Sequence, residues 1–398
     1  MRPLMWTRLV VSVVAVALVP ATAFGQAEPP APRLTGLVWG GEVSTAISRK
    51  DSSAFFNYTD YEHDTLRHVR LRLMAEAKLP GRVDVLAEVR SDNRTVDLPA
   101  LFLRWQPVGR LPLYVQAGRL PLVMGAFSRR AYGTENLLVG VPLVYQYLTS
   151  LRPDALPVTP DELLQMRARG WRPSFPLGAS NDAPGLPMVA FSRGDAGIQA
   201  QWSAPSWSAA AAVTLGTPAD PRWRDNNDAV TVAGRLAATR PSGLTLGVSA
   251  ARGRWVARSV EALVPETQRQ GSAQQLFGVD AELARGHWIV RGEWWRTRFD
   301  VPTLPSSLVA SSVFVETRYR VRPRWQVAAR ADHLTFSNIS GRTGVATPWD
   351  APVWRVEGVL GYRALRRLEL RAGWQYDWRE AGRVRERGFP TLQALWWF

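Results

Sequence analysis

The chain has 398 residues, no cysteine and a formal net charge of +15, with 46% hydrophobic residues. Without cysteine there is no disulfide framework, no thiolate metal site and no cysteine nucleophile, so stability has to come from noncovalent pairing. The positive charge is almost all arginine, since Lys50 and Lys78 are the only lysines; biased codon usage explains this as well as a need for planar guanidinium forks does.

Residues 1–25 read as a signal peptide: Arg2 and Arg8, an apolar run from Leu9 to Val19, then small residues at Ala21, Ala23 and Gly25, with cleavage near Ala23 or Gly25. The apolar run is 11 residues long, short of the roughly 20 that a helix needs to cross a bilayer. A short linker, 26–33, follows. Export argues against nucleic acid as the partner of the positive charge. Beyond the signal no stretch reaches 18 consecutive apolar residues, so any membrane crossing by the mature chain has to use strands.

From residue 34 to residue 398 the dominant pattern has period two. In "RHVRLRLMAEAKL", Val69, Leu71, Leu73, Ala75, Ala77 and Leu79 alternate with Arg70, Arg72, Met74, Glu76 and Lys78. Successive side chains of a strand point to opposite faces, so one face is apolar and the other charged. "VDVLAEVR" repeats the pattern after a "PGR" turn at 80–82. Short connections recur at 107–110, 204–206, 240–243, 284–287, 321–324 and 364–367, seven with the first. Longer ones fall at about 50–64, 92–96, 120–187, 217–227, 254–271, 300–308, 337–351 and 379–389, eight in all.

Seven short turns interleaved with eight long loops predict about 16 antiparallel strands, with both chain ends on the short-turn side. The fold class expected is all-β, a transmembrane antiparallel β-barrel. A β-sandwich has little use for so many strands that are apolar on one face only. Trp39, Trp105, Trp202, Trp207, Trp288, Trp325, Trp354 and Trp396 fall near strand ends on the apolar side, where an interface girdle would place them. In the last strand Leu392, Ala394, Trp396 and Phe398 share the apolar face, and closure requires this strand to pair with the first.

With signal peptide, alternating strands, rim asymmetry and a terminal aromatic strand, the chain resembles a Gram-negative outer-membrane porin of the sixteen-stranded general or phosphate-selective type. That resemblance implies an outer-membrane location in contact with lipid and a passive diffusion channel for small hydrophilic solutes or anions. It also implies a homotrimer, no cofactor, and Phe398 as the signal read by the barrel-assembly machinery. The third long loop, 120–187, would be a constriction loop folded into the lumen. "GRLPLVMGAFSRRAYG" at 118–133 loosely resembles the run found at this place in phosphate-selective porins.

The loop carries one helix signature: Thr159 as N-cap, Pro160 in the first turn, Glu162 completing a capping box, and Gly170 as the stop. Arg129, Arg130 and Arg152 in the loop, with Arg70, Arg72, Arg90 and Arg104 on nearby strands, are the candidate pore-lining cations, and Glu76, Asp84 and Glu88 either face or neutralise them. Loop charge nearly balances, which leaves anion preference open. Wall salt bridges between solvated side chains explain the same residues without selectivity.

Nothing points to catalysis. His63, His68, His287 and His333 lack metal-ligand spacing, and Asp332 and His333, being neighbours in a strand, point to opposite faces. No nucleophile elbow, phosphate-binding glycine loop or zinc-protease motif is present. The reading is therefore not an enzyme and without metal. A closed or plugged structural or adhesin barrel is the main alternative, and a barrel enzyme is a more remote one.

Overall fold

The structure, a computed structural model, describes residues 36–48, 67–91, 96–131, 133–266 and 271–398. The signal peptide at 1–25, the linker at 26–33 and the first long loop lie outside the described residues, as does the side chain of Arg129.

Sixteen strands form one closed barrel. The first eight are β1 (Leu37–Ser48), β2 (Arg67–Leu79), β3 (Val83–Ser91), β4 (Val96–Trp105), β5 (Leu113–Leu120), β6 (Asp195–Ser203), β7 (Trp207–Thr214) and β8 (Thr231–Thr239). The rest are β9 (Leu244–Arg254), β10 (Ala273–Arg285), β11 (Trp288–Phe299), β12 (Leu308–Arg322), β13 (Trp325–Phe336), β14 (Val353–Leu365), β15 (Leu368–Arg379) and β16 (Glu386–Trp397). Each pairs antiparallel with its sequence neighbour, and β16 closes on β1 from Glu42↔Trp397 to Ser48↔Thr391. Closure gives every strand two partners, so no edge is left with unpaired amides and carbonyls.

The period-two pattern becomes two faces. In β14, Val353, Arg355, Glu357 and Val359 are buried while Trp354, Val356 and Leu360, which alternate with them, are exposed. Trp39, Trp105, Trp207, Trp288, Trp325 and Trp354 are all exposed on the apolar face, and Trp202 stacks on Trp207 there. Other tryptophans are core residues: Trp255, Trp295 and Trp349 are fully buried. The turn at 80–82 has the left-handed backbone that reversal requires, at Gly81 and Arg82.

The third long connection ends later than its sequence implies, because β6 starts only at Asp195. Met188 and Val189 look like the start of a strand, but the Val189 N–H donates to the Val144 carbonyl and the Ala190 N–H to that of Pro218, inside a buried cluster. The helix expected from the capping box forms over Pro160–Gln165, with the Thr159 hydroxyl accepting from the Glu162 N–H and the Glu162 carboxylate accepting from the Val158 N–H; a shorter one, Leu143–Gln146, precedes it. Gly170 is not the stop of Pro160–Gln165. That helix ends five residues earlier because the Ala168 N–H is taken by Asp350 at 2.9 Å, and Gly170 is instead required where a Cβ would meet the Leu148 carbonyl oxygen at 1.7 Å.

Candidate functional site

A largely irregular segment of this length carries many backbone polar groups, and burying them requires partners. Residues 121–194 find these partners on the polar face of the sheet. Glu293 of β11 accepts from the backbone N–H groups of Ala126 (2.8 Å) and Phe127 (2.7 Å), and also from the Tyr145 hydroxyl (2.5 Å). Glu357 of β14 accepts from Val139 and Gly140, and Asp332 of β13 from Leu143. Arginines on the same face donate to the segment's carbonyls: Arg330 to Gly140 (3.1 Å), Arg355 to Val141 (2.9 Å) and Arg371 to Leu138 (2.9 Å).

These wall groups are also paired with each other, Arg330 with Glu316 at 2.8 Å and Arg355 with Asp377 at 2.5 Å. Pairing is what makes such deep burial of charge tolerable. Around them Phe127, Tyr145, Leu151, Leu163 and Phe191 of the segment join Phe314, Phe336 and Trp349 in one apolar cluster. The wall from β9 to β15 is thereby covered.

The wall from β1 to β5 is not covered in the same way. There a cavity of about 170 Å³ remains, bounded by Arg72, Glu88 and Arg90 on the sheet and by Leu122, Phe191 and Arg193 on the segment. Glu88 accepts from Arg72 Nε at 2.8 Å and from Arg90 Nε at 2.6 Å, while Glu42 lies 4.0 Å from Arg72. Arg193 is exposed. Further toward the short turns Arg104 is shared by Asp84 at 2.8 Å and Glu76 at 2.9 Å. The level around the cavity therefore counts three guanidiniums, Arg72 and Arg90 of the wall and Arg193 of the segment, to two carboxylates, above a level where Glu76 and Asp84 meet Arg104 and Lys78.

The structure brings Arg72, Arg90, Arg104, Glu76, Asp84 and Glu88 together on this wall, with Arg70 on the same face of β2. The acids pair with the arginines beside them instead of facing them across a gap. Arg130 and Arg152 are elsewhere. Arg130 pairs with Glu282 of β10, beside Arg291. Arg152 is fully buried within the segment, bonded to Asp154 and to the carbonyls of Pro173 and Asn181, so it holds the segment's own fold and lines no passage. Sequence reasoning did not single out Arg193, nor the docking residues Glu293, Arg330, Arg355, Glu357 and Arg371, and it weighed Asp332 only as a partner of His333. Their only signal is their place in the polar register of β11 to β15, which every wall charge shares.

Asp332 and His333 do face apart. Asp332 takes the Leu143 N–H on the polar face, and His333 stacks on Trp354 on the apolar face with ring centroids 3.6 Å apart.

No protein-family model matches the chain, and no curated protein matches it in sequence. Solved structures do match. A loop-deletion form of OmpT, an outer membrane protein of Vibrio cholerae, aligns with a TM-score of 0.56 at 11% identity over 91% of this chain and 99% of that one. The anion-selective porin from Comamonas acidovorans aligns with a TM-score of 0.56 at 10% identity over 91% of this chain and 99% of that one. The outer membrane channel DcaP of Acinetobacter baumannii aligns with a TM-score of 0.53 at 8% identity over 91% and 97%. At such identities the likeness is one of fold: the chain is a closed sixteen-stranded barrel similar to these outer-membrane barrels.

Proposed function

We propose that the protein is an outer-membrane channel for passive diffusion of small hydrophilic solutes. In this reading the apolar face meets lipid, and the polar face encloses a lumen narrowed by residues 121–194. Support for the placement comes from reach: one segment bonds Ser249 of β9 at Gly125 and Arg371 of β15 at Leu138, on the same face of the cylinder. The observation that carries the reading is the cavity of about 170 Å³ between Arg72, Glu88 and Arg90 and the segment. It sits where a passage would have to run, and its excess of guanidinium favours anions over cations. We assign no catalysis to it, since Glu88, the carboxylate at its centre, is held by two arginines. Phe398 as an assembly signal and a homotrimer, the form named for one OmpT structure, belong to the same proposal.

A second reading has its own observation. The apolar cluster joining the segment to the wall is extensive, as a plug's would be. Planar-bilayer recording of the refolded protein separates the two. Stable ohmic steps, with a reversal potential displaced toward anions under a salt gradient, are expected of the channel. Silence over many confirmed insertions overturns it in favour of the plug.

A further inference from the structure

The apolar face carries one compact cluster of positive charge near the long loops. Arg252 and Arg254 of β9 and Arg296 and Arg298 of β11 are all exposed, on the same face as exposed Val248, Phe277, Val279 and Trp294. Register groups them. Arg252 stands opposite Gln275 of β10, which stands opposite Arg298; Arg254 is opposite Ala273, and Arg296 is opposite Phe277. With strands about 4.8 Å apart and residues about 3.4 Å apart along them, the four Cα atoms fall within roughly 10 Å by 14 Å.

All four lie in the half of the barrel nearest the long loops. At that end β14 and β15 carry Trp354, Tyr376 and Trp378 on the same face instead. Arg298 is shared with Asp300 at 3.0 Å and Arg254 with Glu261 at 3.9 Å. Arg252 and Arg296 make no ion pair among the described residues. A guanidinium on a lipid-facing surface costs about 2–4 kcal/mol at the bilayer midplane and about 0–1 near the interface. The position near the rim makes the cluster tolerable, and an anionic group lying beside it would make it favourable.

The chemistry of the partner follows from what surrounds the charges. Planar guanidinium forks suit phosphate oxygens. Level with Arg296 lies Phe277, and one step toward the barrel's middle Trp294, edge to face with centroids 6.1 Å apart, flanked by Val248 and Val279. This surface takes hydrocarbon. A ligand that satisfies both parts has a phosphate on acyl chains. We propose that Arg252, Arg254, Arg296 and Arg298 hold the phosphate group of a lipid in the leaflet at the long-loop rim, with its chains against Phe277 and Trp294. The proposal rests on the reading that the apolar face meets lipid.

The test titrates the folded barrel, in a zwitterionic detergent, with lipid A, with the same lipid stripped of its phosphates, and with inorganic phosphate, reading retained lipid by native mass spectrometry. Lipid A is expected to bind roughly tenfold or more tighter than its dephosphorylated form, and the double substitution Arg252→Gln with Arg296→Gln should abolish most of that difference. Arg285→Gln, at the opposite rim, should leave it intact. Equal retention of both lipids, or no effect of the double substitution, overturns the proposal. So does displacement of lipid A by equimolar inorganic phosphate, which would indicate a free-anion site. Bilayer conductance of the same preparations is read separately: phosphate-dependent retention without conductance removes the channel and keeps the lipid site, and conductance without retention does the reverse.

Discussion

Phe398 and Gly41 exchange both backbone hydrogen bonds, the Phe398 N–H donating to the Gly41 carbonyl at 3.0 Å and the Gly41 N–H to the Phe398 carbonyl at 3.2 Å. The Phe398 ring meets Trp39 at 5.6 Å and Trp396 at 4.8 Å between centroids. The last residue of the chain thus completes the ladder that joins the two terminal strands, and its ring is part of the apolar face. A Cβ on Gly41 would lie 2.6 Å from the Arg72 carbonyl oxygen and 2.7 Å from the Phe398 ring. Gly41→Val is therefore expected to cost about 1–3 kcal/mol through overpacking. Deleting Phe398 removes hydrogen bonds worth about 1 kcal/mol each and aromatic contacts worth about 0.5–1.5 kcal/mol each. Both variants should show a lower heat-unfolding midpoint in detergent; an unchanged midpoint in both would refute this account of closure.

Selectivity should follow Arg72 and Arg90. Reversing both to Glu leaves Glu88 without its cations and turns the level around the cavity negative. The anion-to-cation permeability ratio, taken from reversal potentials, is expected to fall by roughly tenfold, the equivalent of about 1.4 kcal/mol. Arg152→Gln, deep inside the segment, should leave the ratio of any folded channel unchanged, since that guanidinium faces no passage.

Glu293 anchors the segment through two backbone amides and the Tyr145 hydroxyl, and it also accepts from the Trp295 indole N–H at 2.8 Å. Glu293→Ala strands these buried donors at about 1–3 kcal/mol apiece. Limited proteolysis should then cut within 121–194 while the strands stay protected. Glu293→Gln, which keeps an acceptor, should be cut more slowly than the alanine variant. Equal resistance of the wild type and Glu293→Ala would show that the carboxylate does not hold the segment.

Asp350 gives a pH dependence with a definite sign. It lies in the connection between β13 and β14 and accepts five hydrogen bonds, from Ser150 N and Oγ, Ala168 N, Ala351 N and the Tyr147 hydroxyl. Burial raises its pKa above the ordinary carboxylate value, and the hydrogen bonds only partly offset this. A raised native pKa means that the proton favours the folded state: the contribution is fully present below the unfolded value of about 3.9 and is lost as pH rises through the native one. The carboxamide introduced by Asp350→Asn does not titrate. The heat-unfolding midpoint of Asp350→Asn relative to wild type should therefore climb as pH rises from about 3.9, and a constant difference across that range would contradict the assignment.

The strands were legible because each sheet face writes its own half of the sequence. Alternation in β2 and β3 and the aromatic run in β16 need no knowledge of the rest of the chain, and period two alone was enough to separate Asp332 from His333. The site was half legible for the same reason: Arg72, Glu88, Arg90 and Arg104 stand out as a charged face on consecutive strands. Glu357 and Arg371 carry the same signature yet are buried, and what buries them is a segment more than 200 residues earlier, with Val139 lying 218 positions from Glu357. The early end of the helix at Gln165 has a similar origin, since the competing acceptor, Asp350, is 182 positions from Ala168. Local pattern records which face a side chain takes, and the partner waiting there is set by the tertiary fold.

The central claim is that the polar face of the open wall is wet and continuous with a conducting path while the apolar face is not. The chain contains no cysteine, so single cysteines report without background. Met74 and Leu73 are neighbours in β2, both exposed, on opposite faces. Conductance of Met74→Cys and Leu73→Cys channels during addition of a small, membrane-impermeant, charged methanethiosulfonate is the measurement. The account predicts a stepwise drop in conductance for Met74→Cys and none for Leu73→Cys. A response from Leu73→Cys alone, or the same response from both, would contradict it.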